Sequence, residues 1–367
     1  MGVSGSCCRV SDVQAGRGEP VIEVTAAAHP NLAFVKYWGR RDDLLNLPLN
    51  GSISVNLSGA TTTTSVDFDD GLAADEVLLN GEPADSTTVG RVTAHLDRVR
   101  TMAQVVSRAR VVSRNDFPAD VGFASSASAF AALSLAATRA AGITLCERDL
   151  SVLARKGSGS ACRSIPDGFV EWLPGRDDVS SYARSLAPCG HWDLRIVTVA
   201  PETAPKLVSS LDGHRAAHTS PFYAARLAEI EHVLGRVRAS LVTRDFQSLA
   251  LAVEREALSL HAVAATSVVA HVPWLSGILY IEPATVRLML AVQHWRRDGL
   301  AVAFTLDAGP SIHLLCEAGS LGDVRAAVTQ EMDGIPHQLY VSHPGRGAWL
   351  KNETGEAEAP PDQTCSQ

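Results

Sequence analysis

The chain has 367 residues, 46% of them hydrophobic and 20% charged, with a formal net charge of −8 at pH 7. That composition excludes a long disordered protein. The acidic balance disfavours a general nucleic-acid binder but leaves room for local cationic pockets that take small anions.

The first 20 residues mix Gly, Ser and Cys with charge and show no periodicity, so they read as a loose, disordered terminus. Val21–Ala28 and Ser52–Ser58 are predicted strands, and Thr62–Asp69 is a third because it is β-branched and alternates. Val77–Leu79 runs into Asn80-Gly81, a strong hairpin signal. Val89–Val106 has helical periodicity. Phe117-Pro118 leads through Gly122 and a Ser-rich run into an Ala-rich segment, Ala129–Ala141, whose apolar surface all round predicts a buried helix. Glu147–Ala154 is a further helix, and Phe169–Trp172 a short strand.

Residues 175–195 are rich in Pro, Gly and Asp, which places a domain boundary there. Beyond it, Arg195–Ala200 is a strand, followed by helices at Pro221–Leu241, Phe246–Ala265 and Pro283–Arg297. Strands at Val302–Leu306, Ile312–Cys316 and Gln338–Ser342 complete a second layer, and the tail from Lys351 is flexible. The organisation is therefore α+β, with domains over residues 21–190 and 191–350, a cleft between them, and ends at 1–20 and 351–367. Ala257–Ile281 carries no Asp, Glu, Lys or Arg, yet its two His, its Pro and its hydroxyl residues make it a buried helix followed by a loop. The seven cysteines are odd in number and contain no CxxC pair, so neither a disulfide framework nor a zinc site is indicated. Reduced thiols and the lack of a basic-then-apolar leader point to a cytoplasmic protein.

Four segments could carry chemistry, and each has a plainer reading. Phe117–Ser128 suits an anion at a helix N-terminus, or is a small-residue helix packed closely on a sheet. Asn31–Asp42, NLAFVKYWGRRD, interleaves Lys36, Arg40 and Arg41 with Tyr37 and Trp38, as a phosphate site with aromatic walls would, or is a surface loop. Gly157–Arg163, GSGSACR, offers hydroxyls and a guanidinium to an anion, or is a Gly/Ser turn whose Cys162 is a buried thiol. Phe304–Pro310, FTLDAGP, puts an Asp at a strand end facing a cleft, or is a turn in which Asp bonds its own backbone. The twelve histidines show no metal spacing, and His29, His261 and His313 read as satisfied structural residues.

In this order, Asn31–Asp42, FPADVGFASSASAFAAL, GSGSACRS with GFVEW, and FTLDAGP resemble the diphosphomevalonate decarboxylase family of the GHMP kinase superfamily. Smaller echoes are LNGE at 79–82, Ser209-Ser210 with Gly213, TSPFY at 219–223 and LHA at 260–262. The resemblance implies a two-domain GHMP kinase-like fold and ATP-dependent decarboxylation of mevalonate 5-diphosphate to isopentenyl diphosphate. On it, Gly122, Ala124, Ser125, Ser126 and Ser128 would cradle the ATP phosphates, with Ser113 a further nucleotide contact. Mg²⁺ would arrive on those phosphates with Ser126 beside it. Asn31, Tyr37, Trp38, Arg40, Ser158, Ser160, Arg163 and Ser210 would hold the acceptor. Asp307, Arg163 and Lys36 would be catalytic, in a homodimer.

Departures from the family pattern are Arg40 for Lys, Phe123 for Leu, Asp120 within the phosphate loop, Ser311 for Asn, and Leu211-Asp212-Gly213-His214 after Ser210. They bear on acceptor length and raise phosphomevalonate decarboxylase as the alternative. A 3-kinase that does not decarboxylate and a non-catalytic binder are further readings. Pro201–Ser220 and Leu72–Val89 are the candidate lids.

Overall fold

The computed structural model describes residues 9–10, 23–118, 122–202 and 206–352. The first half runs β1 (Arg9–Val10), β2 (Val24–Ala28), β3 (Asn31–Val35), β4 (Arg40–Asp42), β5 (Leu47–Pro48), β6 (Ser52–Asn56), β7 (Thr62–Asp69), β8 (Glu76–Leu79), β9 (Glu82–Pro83), α1 (Ser86–Ala103) and β10 (Arg108–Asn115). It continues through α2 (Ser125–Ala140), β11 (Ile143–Thr144), α3 (Glu147–Gly157), a 3-10 turn (Gly159–Ser164), β12 (Phe169–Trp172) and β13 (Ala183–Ala187). The second half runs β14 (Leu194–Pro201), α4 (Ser210–Ala216), α5 (Tyr223–Thr243), α6 (Phe246–Ala265), α7 (Pro283–Arg297), β15 (Ala303–Leu306), β16 (Ile312–Glu317), α8 (Leu321–Glu331), β17 (His337–Ser342) and β18 (Trp349–Leu350).

Three sheets organise these elements. A six-stranded sheet has the order β18-β2-β7-β10-β8-β9, and only its β8–β10 pair is parallel. Its apolar face, with Ala26, Val66 and Val111, packs on α1, α2 and α3 through Leu96, Val99, Leu133 and Leu153. The alanines of α2 (Ala131, Ala132, Ala136 and Ala137) are fully covered, so a short side chain brings helix and sheet close. A four-stranded antiparallel sheet, β13-β12-β6-β3, stands over α5 and α6, sharing a core of Leu32, Phe34, Ile53, Phe169, Leu234 and Val253. The third sheet, β15-β16-β14-β17, is covered on one face by α7 and α8. After β17 the chain returns to the first sheet, where β18 pairs with β2.

Helix ends follow local chemistry. Asp85 caps α1 by accepting from the N–H groups of Thr87 and Thr88, and Asp245 caps α6 through Ser248. Pro283 opens α7 behind a Glu282–Thr285 capping box. The Asn80-Gly81 turn joins β8 and β9 with both residues at positive φ. Among the described residues no helix is long and apolar enough to cross a membrane, and α6 ends at Ala265 inside the uncharged stretch. Cys162 and Cys316 are buried, and burial pushes their thiols up to about 12 and about 11, so both stay protonated.

Trp172, at the end of β12, is fully buried; its Nε1 donates to Ser181 Oγ at 3.1 Å and its ring meets Tyr37 edge-on at 4.7 Å. Trp172→Ala should cost about 3–5 kcal/mol. Urea unfolding checks this, and a loss below about 1 kcal/mol would mean the Tyr37 wall does not depend on it.

Candidate active site

Lys36 sits where β3 ends, and three contacts fix its backbone. Its N–H donates to Glu256 Oε1 on α6 at 3.1 Å, and its carbonyl accepts from Asn50 Nδ2 and from Arg226 Nη2, each at 3.0 Å. Arg226, on α5, also bonds Glu256. The side chain is then aimed inward: Nζ donates to Ala33 O at 2.7 Å and to Thr305 Oγ1 on β15. Asp307 Oδ1 lies 3.7 Å from Nζ and Glu256 Oε2 lies 3.9 Å from it. Burial pulls the Lys36 pKa down, while Asp307 and Glu256 oppose that pull. The Asp307 side chain is 31% exposed against 6% for Lys36, so the carboxylate is the member of the pair open to solvent.

Arg163 stands at the end of the 3-10 turn. Its Nε and Nη2 donate to Asn31 Oδ1 at 3.2 and 3.0 Å, and Nε also reaches Ser54 Oγ at 3.2 Å. Asn31 Nδ2 donates back to Ser160 O and Ser164 Oγ. The guanidinium lies over the rings of Tyr37 (5.7 Å) and Trp172 (5.8 Å), and its Nη1 is buried with no partner. A fixed cation with one free face suits a carboxylate or phosphate oxygen. Gly159 is required here because a Cβ would lie 2.7 Å from the Tyr37 hydroxyl. Tyr37 also stacks on His214, whose Nδ1 accepts from Gly39 N–H at 3.0 Å and whose pKa burial holds well below the usual range.

The Ser-rich run opens α2 itself, and Ala124 at its N-cap supplies no side-chain acceptor. Ser125 N–H donates to Phe123 O at 2.7 Å and Ala127 N–H to Ala124 O at 2.8 Å, so of these first-turn groups the Ser126 N–H is the one offered to an outside anion. Ser113, Ser125 and Ser126 line a 190 Å³ cavity with Asn80, Val77, Leu79 and Phe130. Apolar walls with a few polar groups suit a planar heterocycle at a phosphate-binding helix end. Gly122 has φ +86°, and a Cβ there would come within 2.5 Å of Ser311. Ser126 Oγ is 3.3 Å from Ser158 Oγ, which is 3.4 Å from Ser160 Oγ, so a hydroxyl chain joins this cavity to the Arg163 side.

The other expected site residues are placed differently. The fully buried Ser128 bonds Thr62 Oγ1 and the Ser125 carbonyl. Trp38 is 3% exposed and packs in a core cluster with Tyr280 and Leu260, behind the Tyr37 wall. Arg40 leans to Asp43 at 3.8 Å and borders a small surface pocket with Arg215 and His218. Ser210 begins α4, while Ser209 does the capping. The preceding segment meets the Asp307 loop where Lys206 Nζ donates to Ala308 O at 2.9 Å. Phe123 packs edge-on against Phe117 and Tyr340, and Asp120 lies outside the described residues.

His29 is satisfied, with Nδ1 on the Ala60 carbonyl. His261 and His313 depart from the expectation of satisfied residues, because each keeps a buried Nε2 without a partner. Sequence reasoning also passed over Glu256, Arg226, Ser54 and Thr305. The first two had a signal: Arg226 falls on the Tyr223–Ile230 stripe and Glu256 on the Val253–Leu260 stripe, charges set among apolar positions at helical spacing.

The sequence matches two family models, the diphosphomevalonate decarboxylase-like N-terminal domain over residues 28–183 and the mevalonate 5-diphosphate decarboxylase C-terminal domain over residues 196–354. It is 36% identical to diphosphomevalonate decarboxylase mvd1 of Aspergillus fumigatus, covering 87% of this chain and 84% of that protein. It is 32% identical to the phosphomevalonate decarboxylase of Haloferax volcanii, covering 80% and 88%. The fold is similar to a solved structure of MDDEF in complex with MVAPP, AMPPCP and magnesium, at TM-score 0.82 and 34% identity, covering 90% of this chain and 99% of that one.

Burial pushes both His261 and His313 down to about 4. Unfolded histidine titrates near ~6.5, so below that value the unfolded chain binds protons that the folded chain does not. Stability is then complete above ~6.5 and falls as pH drops toward ~4. The expected loss is on the order of 2 kcal/mol per histidine at about pH 5. A urea midpoint that stays constant from about pH 7 to about pH 5 would contradict two neutral imidazoles.

Proposed function

This chain belongs to the diphosphomevalonate decarboxylase family and is an ATP-dependent decarboxylase that uses Mg²⁺, and we infer that Asp307, Lys36 and Arg163 carry its chemistry. The reaction converts mevalonate 5-diphosphate and ATP to isopentenyl diphosphate, ADP, phosphate and CO₂. The observation that carries the assignment of roles is the solvent-open Asp307 carboxylate 3.7 Å from a buried ammonium.

A tertiary hydroxyl is a poor leaving group, so it is first phosphorylated. Asp307 accepts the proton of the 3-hydroxyl as that oxygen bonds to the γ-phosphorus and the bond to ADP breaks. Lys36, held by Ala33 and Thr305, fixes the carboxylate in place. The C3–O bond then breaks, phosphate leaves, and positive charge develops at C3 beside the Asp307 carboxylate. Arg163 Nη1 holds the substrate carboxylate in line. The C–C bond to that carboxylate breaks, its electrons become the alkene, and CO₂ departs.

The nucleotide fits the residues present: the uncapped start of α2, the positive-φ Gly122 and the cavity lined by Ser113, Ser125 and Ser126. Among the described residues no cluster of three His, Cys, Asp or Glu could hold a metal, so the magnesium would ride on the phosphates with Ser126 as the protein contribution. When bound, it neutralises charge on the nucleotide. Cytoplasmic location and a homodimer complete the proposal; buried reduced thiols support the first and the family likeness the second.

A monophosphate acceptor is the second reading. It is favoured by the likeness to the Haloferax volcanii enzyme and by Arg40, which leans toward Asp43. Comparing kcat/KM for mevalonate phosphate and mevalonate diphosphate decides between them; CO₂ release from neither, with ADP still formed, would leave a kinase.

Asp307→Asn should lower kcat by about 10²–10⁴-fold with little change in ATP affinity. Near-native turnover would remove Asp307 from the role of base. Arg163→Lys keeps the charge but loses the fork, and should raise the acceptor KM about tenfold. Steady-state kinetics with an unchanged KM would rule out the clamp.

A further inference from the structure

Strand β16 alternates between two environments. Ile312, Leu314 and Cys316 enter the core beneath α7 and α8, which sends His313 to the opposite face. There it lies in one row of the sheet, with Thr198 of β14 on one side and Thr305 of β15 on the other. Thr305 is the residue that accepts from Lys36 Nζ. The imidazole is thus beside the catalytic pair, and it is 1% exposed.

His313 Nδ1 is bonded to Thr198 Oγ1 at 2.8 Å, while Nε2 is buried with no partner. Ser311 Oγ, two residues earlier, is also buried with no partner. Both side chains border Gly122: an added Cβ there would lie 2.6 Å from Ser311 Oγ and 3.5 Å from His313 Cε1. A buried polar atom without a partner forgoes its bonds to water and lowers stability. Two of them side by side, between the phosphate loop and Asp307, are poor core residues and good ligand groups.

We propose that His313 and Ser311 bind the phosphoryl group in transfer, with His313 Nε2–H and Ser311 Oγ–H donating to its nonbridging oxygens between Gly122 and Asp307. No bond is made or broken on either residue. An anion selects the tautomer with the proton on Nε2, and Thr198 then donates to Nδ1. The pKa of about 4 keeps the ring a neutral donor, so it adds no cation beside Lys36. This deepens the decarboxylase reading and rests on it.

The test uses the full-length chain labelled with ¹⁵N on histidine, and ADP with orthovanadate as the probe. The His313 Nε2–H resonance should move when ADP and orthovanadate are added together, and not with ADP alone. In steady state, His313→Phe should lower kcat about 10- to 100-fold, the range of one hydrogen bond to a charged group, with both KM values within about twofold. His313→Gln, whose amide reaches the Nε2 position, should recover to within about threefold of the parent. Ser311→Ala should lower kcat about fivefold or more.

An unmoved resonance overturns the proposal. So does a His313→Phe enzyme with parental kcat, or a His313→Gln enzyme as impaired and as thermally destabilised as His313→Phe, which is the behaviour of a packing residue. Should the phenyl variant fail to fold, the resonance of the parent protein decides alone. A parent enzyme that releases no ADP defeats the decarboxylase reading, and the orthovanadate result still judges the two side chains.

Discussion

The Lys36 ammonium, buried where two sheets and helix α6 converge, is the interaction on which the rest depends. A buried cation costs several kcal/mol unless it is paired and hydrogen-bonded. Here the partners come from distant parts of the chain: a carbonyl of β3, a hydroxyl of β15, Asp307 just after β15 and Glu256 on α6. Satisfying one charge therefore holds the two halves of the chain together at one point. Glu256 makes this possible by bonding the Lys36 backbone and Arg226 at once through Oε1, while Oε2 has no hydrogen bond and faces the Lys36 ammonium at 3.9 Å.

The charges around this point leave a cationic excess. Lys36, Arg226 and Arg163 face Glu256 and Asp307, and Arg226 bonds Glu256 through Nη2 while its Nε stays buried without a partner. The net positive field remaining suits two polyanionic substrates. The histidines nearby do not add to it, because burial keeps His214, His261 and His313 neutral. They serve as shape and as donors or acceptors in a site where further cations would compete with Lys36 for Asp307.

Much of this was legible in the sequence because local rules and tertiary packing agree there. Phe246–Ala265 and Pro283–Arg297 carry helical periodicity with caps, and the structure ends them at those residues. Phe169–Trp172 likewise stands as expected. The misses have physical causes. Asn31–Val35 reads as part of a phosphate site or a surface loop, not as a strand, because all five residues are buried, which removes the alternation that marks a strand. Arg108–Asn115 alternates Arg with Val and Ala but is given no element in the sequence reading; it is a central strand with its arginines on one face. The helix predicted over Ala129–Ala141 starts four residues earlier, at Ser125, because the packing of α2 on the sheet extends it through the serines and turns Ser128 away. The pairing of Lys36 with Glu256 spans 220 residues, and no local spacing encodes it.

The orphaned polar atoms show where fold and function pull apart. Arg163 Nη1, Ser311 Oγ, and Nε2 of His261 and His313 are buried without partners, and they sit around the cleft. Each lowers the stability of the empty protein, since a buried polar atom forgoes its bonds to water. In exchange, none has to be stripped of water or reoriented when charge develops on a transferring phosphoryl group or a departing carboxylate, which is the condition under which fixed dipoles act most strongly. A sequence that filled these positions with Leu and Met would fold more stably, and its Asp307 would face a cleft that could position neither substrate.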